Sequence, residues 1–170
     1  YTPEFGYLLD ENRRGRLLVK LDVREMDASA LGFLLGQQVV NHVPVIEHYP
    51  FSKTELKNMG GAMAASGAVA LFHVEGLTPE APDLKTVFDG EPQKIITITQ
   101  KDLESIRTPI DEPDLVVFGC PQMTLDEALD LGAAFTGGKC RCDTWFCLAP
   151  EAYDKFVETD VYQQVVKAGV

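Results

Sequence analysis

Short apolar runs rich in β-branched residues alternate with longer segments in which apolar residues recur at helical spacing. Two of the runs are almost entirely apolar, AVALFHV at residues 68–74 and LVVFG at 115–119, which predicts strands buried on both faces of a sheet. The run LLVKLDVR at 17–24 alternates apolar and polar residues, which predicts a half-buried strand near a sheet edge. The predicted strands are residues 17–24, 43–48, 68–74, 94–99, 115–119 and 144–148.

Helix signals occupy the segments between these strands. Ser52 with Glu55, and Thr124 with Glu127, have the spacing of capping boxes, so helices are predicted to begin directly after Ser52 and Thr124. Buried strands that alternate with helices indicate an α/β fold, with a mostly parallel sheet and helices on both faces in three layers. The proline- and glycine-containing segment 75–93 is either a functional excursion between two strands or a surface insertion with one short helix near 84–88.

The size and composition are those of a globular protein. The chain has 170 residues, of which 45% are hydrophobic and 24% are charged, so we expect one domain. The sequence begins at Tyr1 rather than at a methionine and enters Glu4–Phe5–Gly6 at once. We therefore expect residues 1–170 to be an internal piece of a longer protein.

An excess of acidic residues limits the classes of partner. The 15 Lys and Arg against 26 Asp and Glu give a formal net charge of −11, which repels nucleic-acid phosphates and anionic lipids. No apolar run reaches the roughly 18–20 residues that a membrane-spanning helix needs, and nothing in these residues suggests export. All four cysteines lie in the last third of the chain, which favours a reducing compartment over a disulfide-linked secreted domain. We expect a cytoplasmic protein whose partners are neither nucleic acid nor membrane.

Candidate ligand-binding residues gather where the predicted strands end, because ligands of open parallel sheets bind at the carboxyl ends of the strands. His48 ends one strand, and His73 lies near the end of the next. His73 is alternatively a hydrogen-bonded core histidine, and Ser66–Gly67 alternatively forms a helix C-cap turn. The candidates in this part of the chain are Ser66, Gly67, His73, Glu75 and Thr78.

Cys120 follows a predicted buried strand and precedes a predicted helix start by a few residues. The backbone N–H groups and the dipole at a helix N-terminus favour the thiolate form of a cysteine. A thiolate is the form that acts as a nucleophile and as a ligand of iron or zinc. The alternative is a buried structural cysteine.

The three other cysteines, Cys140, Cys142 and Cys147, are clustered near the last predicted strand. Cysteines two residues apart on a strand point to the same face, whereas structural zinc sites more often use pairs separated by two to four residues. Together with Cys120 they amount to four thiolates, but without a second pair of the usual spacing. A cysteine-based zinc or metal-binding module is therefore an alternative function.

Three segments resemble one known family, aconitase X. They are residues 60–81 (GGAMAASGAVALFHVEGLTPEA), Gly119–Cys120–Pro121 followed by a Thr-Leu-x-Glu helix start, and the ENRRG string at 11–15. The resemblance extends over most of the 170 residues. The chain departs from the family pattern at Gln122, where histidine is common, and at 146–150 (FCLAP), where the family tends to have a Thr-Ser-Arg turn.

The resemblance implies an aconitase-like α/β domain of an iron–sulfur hydro-lyase. Members of the family dehydrate small hydroxy acids, either cis-3-hydroxy-L-proline or, in large subunits paired with a small swivel subunit, mevalonate 5-phosphate. Three cysteines of such an enzyme hold the cluster, and the motif match makes Cys120 one of them, with the other two outside this chain. Ser66, Gly67 and the strand end at 73–78 would form part of the substrate wall.

The resemblance assigns no catalytic residue within residues 1–170. It also implies that the isolated chain is inactive and free of the cluster, because one wall of an interdomain site cannot turn over substrate. A subunit-interaction domain without chemistry of its own is a further alternative, and it would expose an apolar face.

Overall fold

The computed structural model describes residues 6–170, which divide into two compact units that meet in sequence between Thr108 and Pro109. Where the sequence predicts one α/β domain, each unit has its own parallel sheet and its own core. The α/β class is confirmed, whereas the expectation of an internal piece stays a prediction. Within residues 6–170, no helix is both long enough and apolar enough to cross a membrane.

The first unit alternates strands and helices along the chain. Its elements are a 3-10 helix (Asp10–Arg13), β1 (Leu17–Asp22), α1 (Ala28–Val39), β2 (Pro44–Ile46), α2 (Lys53–Gly67), β3 (His73–Val74), α3 (Leu84–Val87), β4 (Lys94–Thr99) and α4 (Gln100–Ser105). All strand pairings are parallel, and the strand order is β3-β2-β1-β4. The capping box of Ser52 and Glu55 is formed at the start of α2, as predicted.

The prediction of a central strand at residues 68–74 is wrong. Only His73–Val74 pair with a neighbour, and they do so at the edge of the sheet. Ala68 ends α2 in the left-handed conformation (φ 53°, ψ 32°), and its N–H donates to the carbonyl groups of Met63 and Ala64. The chain therefore leaves the helix through a turn, and Val69 packs in the core without joining the sheet.

β1 lies inside the sheet, between β2 and β4, rather than near an edge. Its last partner in β2 is Ile46, which pairs with Val19. The exposed residues Lys20 and Asp22 lie beyond that pair. The polar residues of β1 are therefore explained by the shortness of β2, which ends before them, and not by an edge position of β1.

Both faces of this sheet are covered. Val19, Ile46 and Ile98 belong to the main core, together with apolar residues of α1 and α2. On the opposite face, Leu18 and Val45 form a second buried cluster with apolar residues from the segment that follows β3. That segment contains the predicted short helix, α3, and it supplies the third layer of the unit.

The second unit is smaller. Its elements are β5 (Leu115–Met123), α5 (Leu125–Ala133), β6 (Asp143–Leu148), α6 (Pro150–Phe156) and α7 (Asp160–Ala168). β5 and β6 pair in parallel, and among the described residues they form a sheet of two strands. The capping box of Thr124 and Glu127 is formed at the start of α5, as predicted.

Only one face of the β5–β6 pair is packed. On that face the rings of Phe118 and Phe146 have centroids 5.6 Å apart, and Phe146 stacks on Phe156 of α6 at 6.4 Å. Val117 and Trp145 pair across the two strands and are 46% and 56% exposed. The prediction of a strand buried on both faces is wrong here, because the helices of this unit cover one of its two apolar faces.

Candidate functional site

The carboxyl ends of β2 and β3 bring His48 and Glu75 together. The parallel ladder continues past the strand ends, since the Glu75 N–H donates to the carbonyl oxygen of Ile46 at 2.9 Å. His48 Nδ1 lies 3.1 Å from the carbonyl oxygen of Glu75, and the His48 backbone N–H donates to Glu75 Oε2 at 3.3 Å. Gly76 makes the turn with φ +71°, a backbone conformation that residues with a side chain rarely adopt. A fixed imidazole thus stands at the edge of the sheet where ligands of parallel sheets bind.

The hydroxyl of Thr78 closes the turn after β3. It accepts from the Val74 N–H at 3.0 Å and donates to the Val74 carbonyl oxygen at 3.2 Å. Glu47, at the end of β2, accepts from the Leu21 N–H at 2.8 Å. The polar groups of this edge are therefore held by the backbone around them.

His73 has the position of a core histidine. Its side chain is buried, and its Nε2 lies 2.8 Å from the carbonyl oxygen of Arg13. Because a carbonyl oxygen only accepts, Nε2 carries the hydrogen and donates it. This bond ties β3 to the segment before β1, and a role in substrate binding stays a prediction.

Ser66 and Gly67 lie where α1 and α2 touch. The Ser66 hydroxyl donates to the Ala62 carbonyl oxygen at 2.8 Å, one turn earlier in α2. A Cβ added to Gly67 would lie 1.8 Å from the carbonyl oxygen of Gly36, so only glycine permits this approach of the two helices. The structure thus gives both residues a packing role, and their predicted place in a substrate wall is not tested.

Arg13 and Glu80 form an ion pair that the sequence does not reveal. Arg13 Nε donates to Glu80 Oε2 at 2.8 Å, a second guanidinium nitrogen contacts Oε1, and Nη1 donates to the Tyr7 carbonyl oxygen at 3.0 Å. The hydrogen bond from Arg13 lowers the pKa of Glu80, and the same bond raises the pKa of Arg13. The pair lines a cleft of about 430 Å³ together with Asp10, Arg14 and Val87.

No local signal predicts the Arg13–Glu80 pair or the His48–Glu75 contact. The partners are 67 and 27 residues apart in sequence, so they meet only through the strand order. Sequence reasoning identified His48 and Glu75 as strand-end residues but could not pair them.

Cys120 lies within β5, in the second unit, and it is exposed. The alternative of a buried structural cysteine is therefore wrong. An exposed thiol four residues before a capped helix start suits one ligand of an iron–sulfur cluster.

Cys140, Cys142 and Cys147 do not form a metal site with one another. Throughout residues 6–170, no three His, Cys, Asp or Glu side chains are placed to hold one metal ion. The described part of the chain therefore gives the zinc-module alternative no support.

A comparison with protein-family models identifies the family of this chain. The family model for the aconitase X second domain matches residues 15–108. The chain belongs to the aconitase X family. The match begins just before β1 and ends with the first unit, so it covers the whole four-stranded sheet of this aconitase X domain.

Characterised relatives and a solved structure agree with the family match. The chain is 39% identical to the phosphomevalonate dehydratase large subunit of Methanothermobacter thermautotrophicus, over 86% of this chain and 38% of that protein. It is 32% identical to the cis-3-hydroxy-L-proline dehydratase of Pseudomonas aeruginosa, over 80% of this chain and 26% of that protein. The crystal structure of Thermococcus kodakaraensis aconitase X in its holo-form superposes with a TM-score of 0.84 at 25% identity, over 99% of this chain and 45% of that one.

The chain thus spans about two fifths of the length of the phosphomevalonate dehydratase large subunits that it matches. The structural match includes residues of the second unit, which lies outside the family-model match. The resemblance to aconitase X inferred from the sequence motifs is confirmed.

Proposed function

We propose that this chain is an internal piece of the catalytic subunit of an aconitase X hydro-lyase, which removes water from a small hydroxy acid. The observation that carries the proposal is the family match over residues 15–108. The relatives that support it are dehydratases by name. A subunit that spans more than twice this length would supply the other walls of the site.

Mevalonate 5-phosphate is the substrate that the comparisons favour. Identity to phosphomevalonate dehydratase large subunits reaches 39%, against 32% for the bacterial cis-3-hydroxy-L-proline dehydratase. The name "large subunit" also supports a small subunit as partner, which we propose to be the swivel domain. The clustered free cysteines favour the cytoplasm as the compartment of this enzyme.

Cys120 is the residue of this chain that we assign to an iron–sulfur cluster. The exposed thiol on β5 supports this role, and the other ligands would come from outside residues 1–170. When bound, the iron of such a cluster acts as a Lewis acid on the hydroxyl that departs. Within the first unit, Glu75 and Thr78 supply the carboxyl edge of the proposed substrate wall, and Ser66, Gly67 and His73 hold its supporting elements in place.

The test uses the full-length subunit with its small subunit, reconstituted anaerobically with iron and sulfide. We expect loss of one water from mevalonate 5-phosphate, measured by mass spectrometry, and little or no reaction with cis-3-hydroxy-L-proline. A preference for the hydroxyproline would overturn the substrate assignment. No turnover of either compound would overturn the proposed function.

Cys120→Ser tests the ligand role in the same enzyme. We expect the variant to lose the visible absorbance of the cluster and more than about 100-fold of the activity. A cluster held by only three cysteines is not bound stably when one of them is removed. Cys142→Ser is the matched control and should retain both properties. Full absorbance and activity in Cys120→Ser would show that the cluster is held elsewhere.

Contact with another subunit is the second candidate function, favoured by the exposed face of the β5–β6 pair. Leu115, Val117 and Trp145 are all more than 40% exposed on this face. Sedimentation of the chain at increasing concentration tests it. Association that Trp145→Ser abolishes would support an interaction role, and a monomer at all concentrations would contradict self-association.

A further inference from the structure

We propose that His48 is the residue that takes the proton in the dehydration, through its Nε2 atom; this inference rests on the proposed function. His48 is exposed and lies two residues after the end of β2, at the carboxyl edge of the four-stranded sheet. Ligands of parallel sheets bind at this edge. Removal of a proton from carbon needs a base of this kind in contact with the substrate.

The hydrogen bond of His48 fixes which ring nitrogen is the base. Nδ1 lies 3.1 Å from the carbonyl oxygen of Glu75, which can only accept, so Nδ1 carries the hydrogen. In the neutral imidazole the lone pair then resides on Nε2. Within residues 6–170, Nε2 of His48 has no hydrogen-bond partner, so it is open to a ligand.

Two further contacts hold the residue in place. The His48 N–H donates to Glu75 Oε2 at 3.3 Å, so Glu75 binds both the backbone and the ring of His48. A Cβ added to Gly76 would lie 3.2 Å from Nδ1, so the turn passes close to the ring. A base whose orientation is set by its other nitrogen is the usual arrangement in catalytic sites.

The two other histidines of the chain lack this combination. His73 is buried, and its Nε2 is occupied by the carbonyl oxygen of Arg13. His42 is exposed, and its Nδ1 faces the carbonyl oxygens of Val39 and Val40. Because His42 lies just before β2, at the opposite edge of the sheet, it is a natural control for His48.

The step is balanced without a further reactant. Nε2 accepts the proton from the carbon next to the one that bears the hydroxyl, and the C–H electron pair becomes the second bond of the alkene. The C–O bond breaks, and its electron pair leaves with the hydroxyl. The proton held by Nε2 then passes to the departing hydroxide, which restores the neutral imidazole, so the products are an unsaturated acid and water.

His48→Asn in the full-length enzyme separates a catalytic from a structural role. The asparagine amide can replace Nδ1 as the donor to Glu75, but it cannot accept a proton. We expect kcat for mevalonate 5-phosphate to fall by about 100- to 10,000-fold, with the KM and the melting temperature nearly unchanged. His42→Asn should leave all three quantities unchanged.

A kcat that stays within about threefold of wild type in His48→Asn would overturn the inference. It would show that His48 only supports the turn, a role that asparagine can fill. Turnover that survives in this variant leaves the proposed function intact, whereas an inactive unsubstituted enzyme overturns that function itself. Nitrogen-15 NMR of the histidine rings in the full-length protein, before cluster reconstitution, gives a readout apart from activity. We expect His48 with hydrogen on Nδ1 and none on Nε2, and the opposite tautomer would overturn the role of Nε2.

Discussion

The two units treat their apolar strands differently. In the first, α1 and α2 cover one face of the sheet, and the segment that follows β3 covers the other. In the second, the aromatic cluster around Phe146 covers one face of the β5–β6 pair, and Val117 and Trp145 on that pair remain exposed. An apolar strand sequence therefore indicates that both faces of the strand are suited to burial. It does not show that the residues of the same unit cover both faces.

The second unit also depends on fewer core residues. Among residues 6–170, the core of the second unit has four buried members, Met123, Ala128, Phe156 and Val165, against sixteen in the main core of the first unit. With so few buried groups, each one carries a larger share of the stability of its unit. A single core substitution should therefore lower the stability of one unit and leave that of the other unchanged.

Phe156→Ala should have the largest effect. The side chain is 2% exposed, its ring stacks on Phe146, and it meets Tyr162 edge-on at 5.7 Å. Loss of a buried phenylalanine costs about 3–5 kcal/mol of unfolding free energy. Hydrogen exchange should show protection lost across residues 109–170 and retained in 6–108, while the exposed-site control Val166→Ala changes neither. Equal loss in both regions would show that the two cores unfold together.

Gly67→Ala should have the next largest effect and tests how tightly the first unit is packed. The new Cβ would lie 1.8 Å from the oxygen and 2.3 Å from the carbon of the Gly36 carbonyl group, and backbone atoms cannot rotate away as a side chain can. We expect a loss of about 3 kcal/mol, measured by thermal denaturation. Gly138→Ala in the second unit is the matched control, since a Cβ there meets nothing within 4 Å. Equal melting temperatures in the two variants would contradict the close contact of α1 and α2.

The features that the sequence predicts well are local. Ser52 and Thr124 each bond a backbone N–H three residues away, so their capping boxes can be read from spacing alone. The edge position of His73–Val74 cannot be read from spacing. It depends on where the chain turns after Ala68 and on which strand lies next to β2. Local chemistry fixes where elements begin, and long-range pairing fixes their order.

The same division applies to the candidate site. The rule that ligands bind at strand ends gave His48 and Glu75 as candidates, and the Gly-Cys-Pro motif gave Cys120, which is exposed in this structure. Their functional roles stay predictions. The sequence could not show that the Ser66 hydroxyl is used within α2, or that His73 bonds a residue sixty positions away. Hydrogen-bond partners at such separations appear only once the fold is known.

The smallest effect concerns the pair of Arg13 and Glu80, which ties the segment covering the second face of the sheet to the residues before β1. The hydrogen bond from Arg13 holds the pKa of Glu80 below its ordinary value of 4.5. A carboxyl group whose pKa is lowered on folding stabilises the protein above the unfolded pKa, and this contribution is lost as the pH falls through the folded value. The two side chains are 30% and 43% exposed, so solvent screens the pair, and Glu80→Gln should cost less than about 1 kcal/mol at pH 7.

Urea denaturation of wild type and Glu80→Gln, at pH 7 and then at steps below pH 4.5, checks the sign of this effect. The difference between the two proteins should shrink as the pH falls, because Glu80 becomes protonated in both the folded and the unfolded chain. Glu91→Gln, at an exposed position of the same segment, controls for the change in net charge. A difference that grows towards acid would mean that the pair does not stabilise the folded form. The cover over the second face would then rest on the burial of its apolar residues Ala81, Val87 and Phe88, as the packed face of β5–β6 rests on its own apolar cluster.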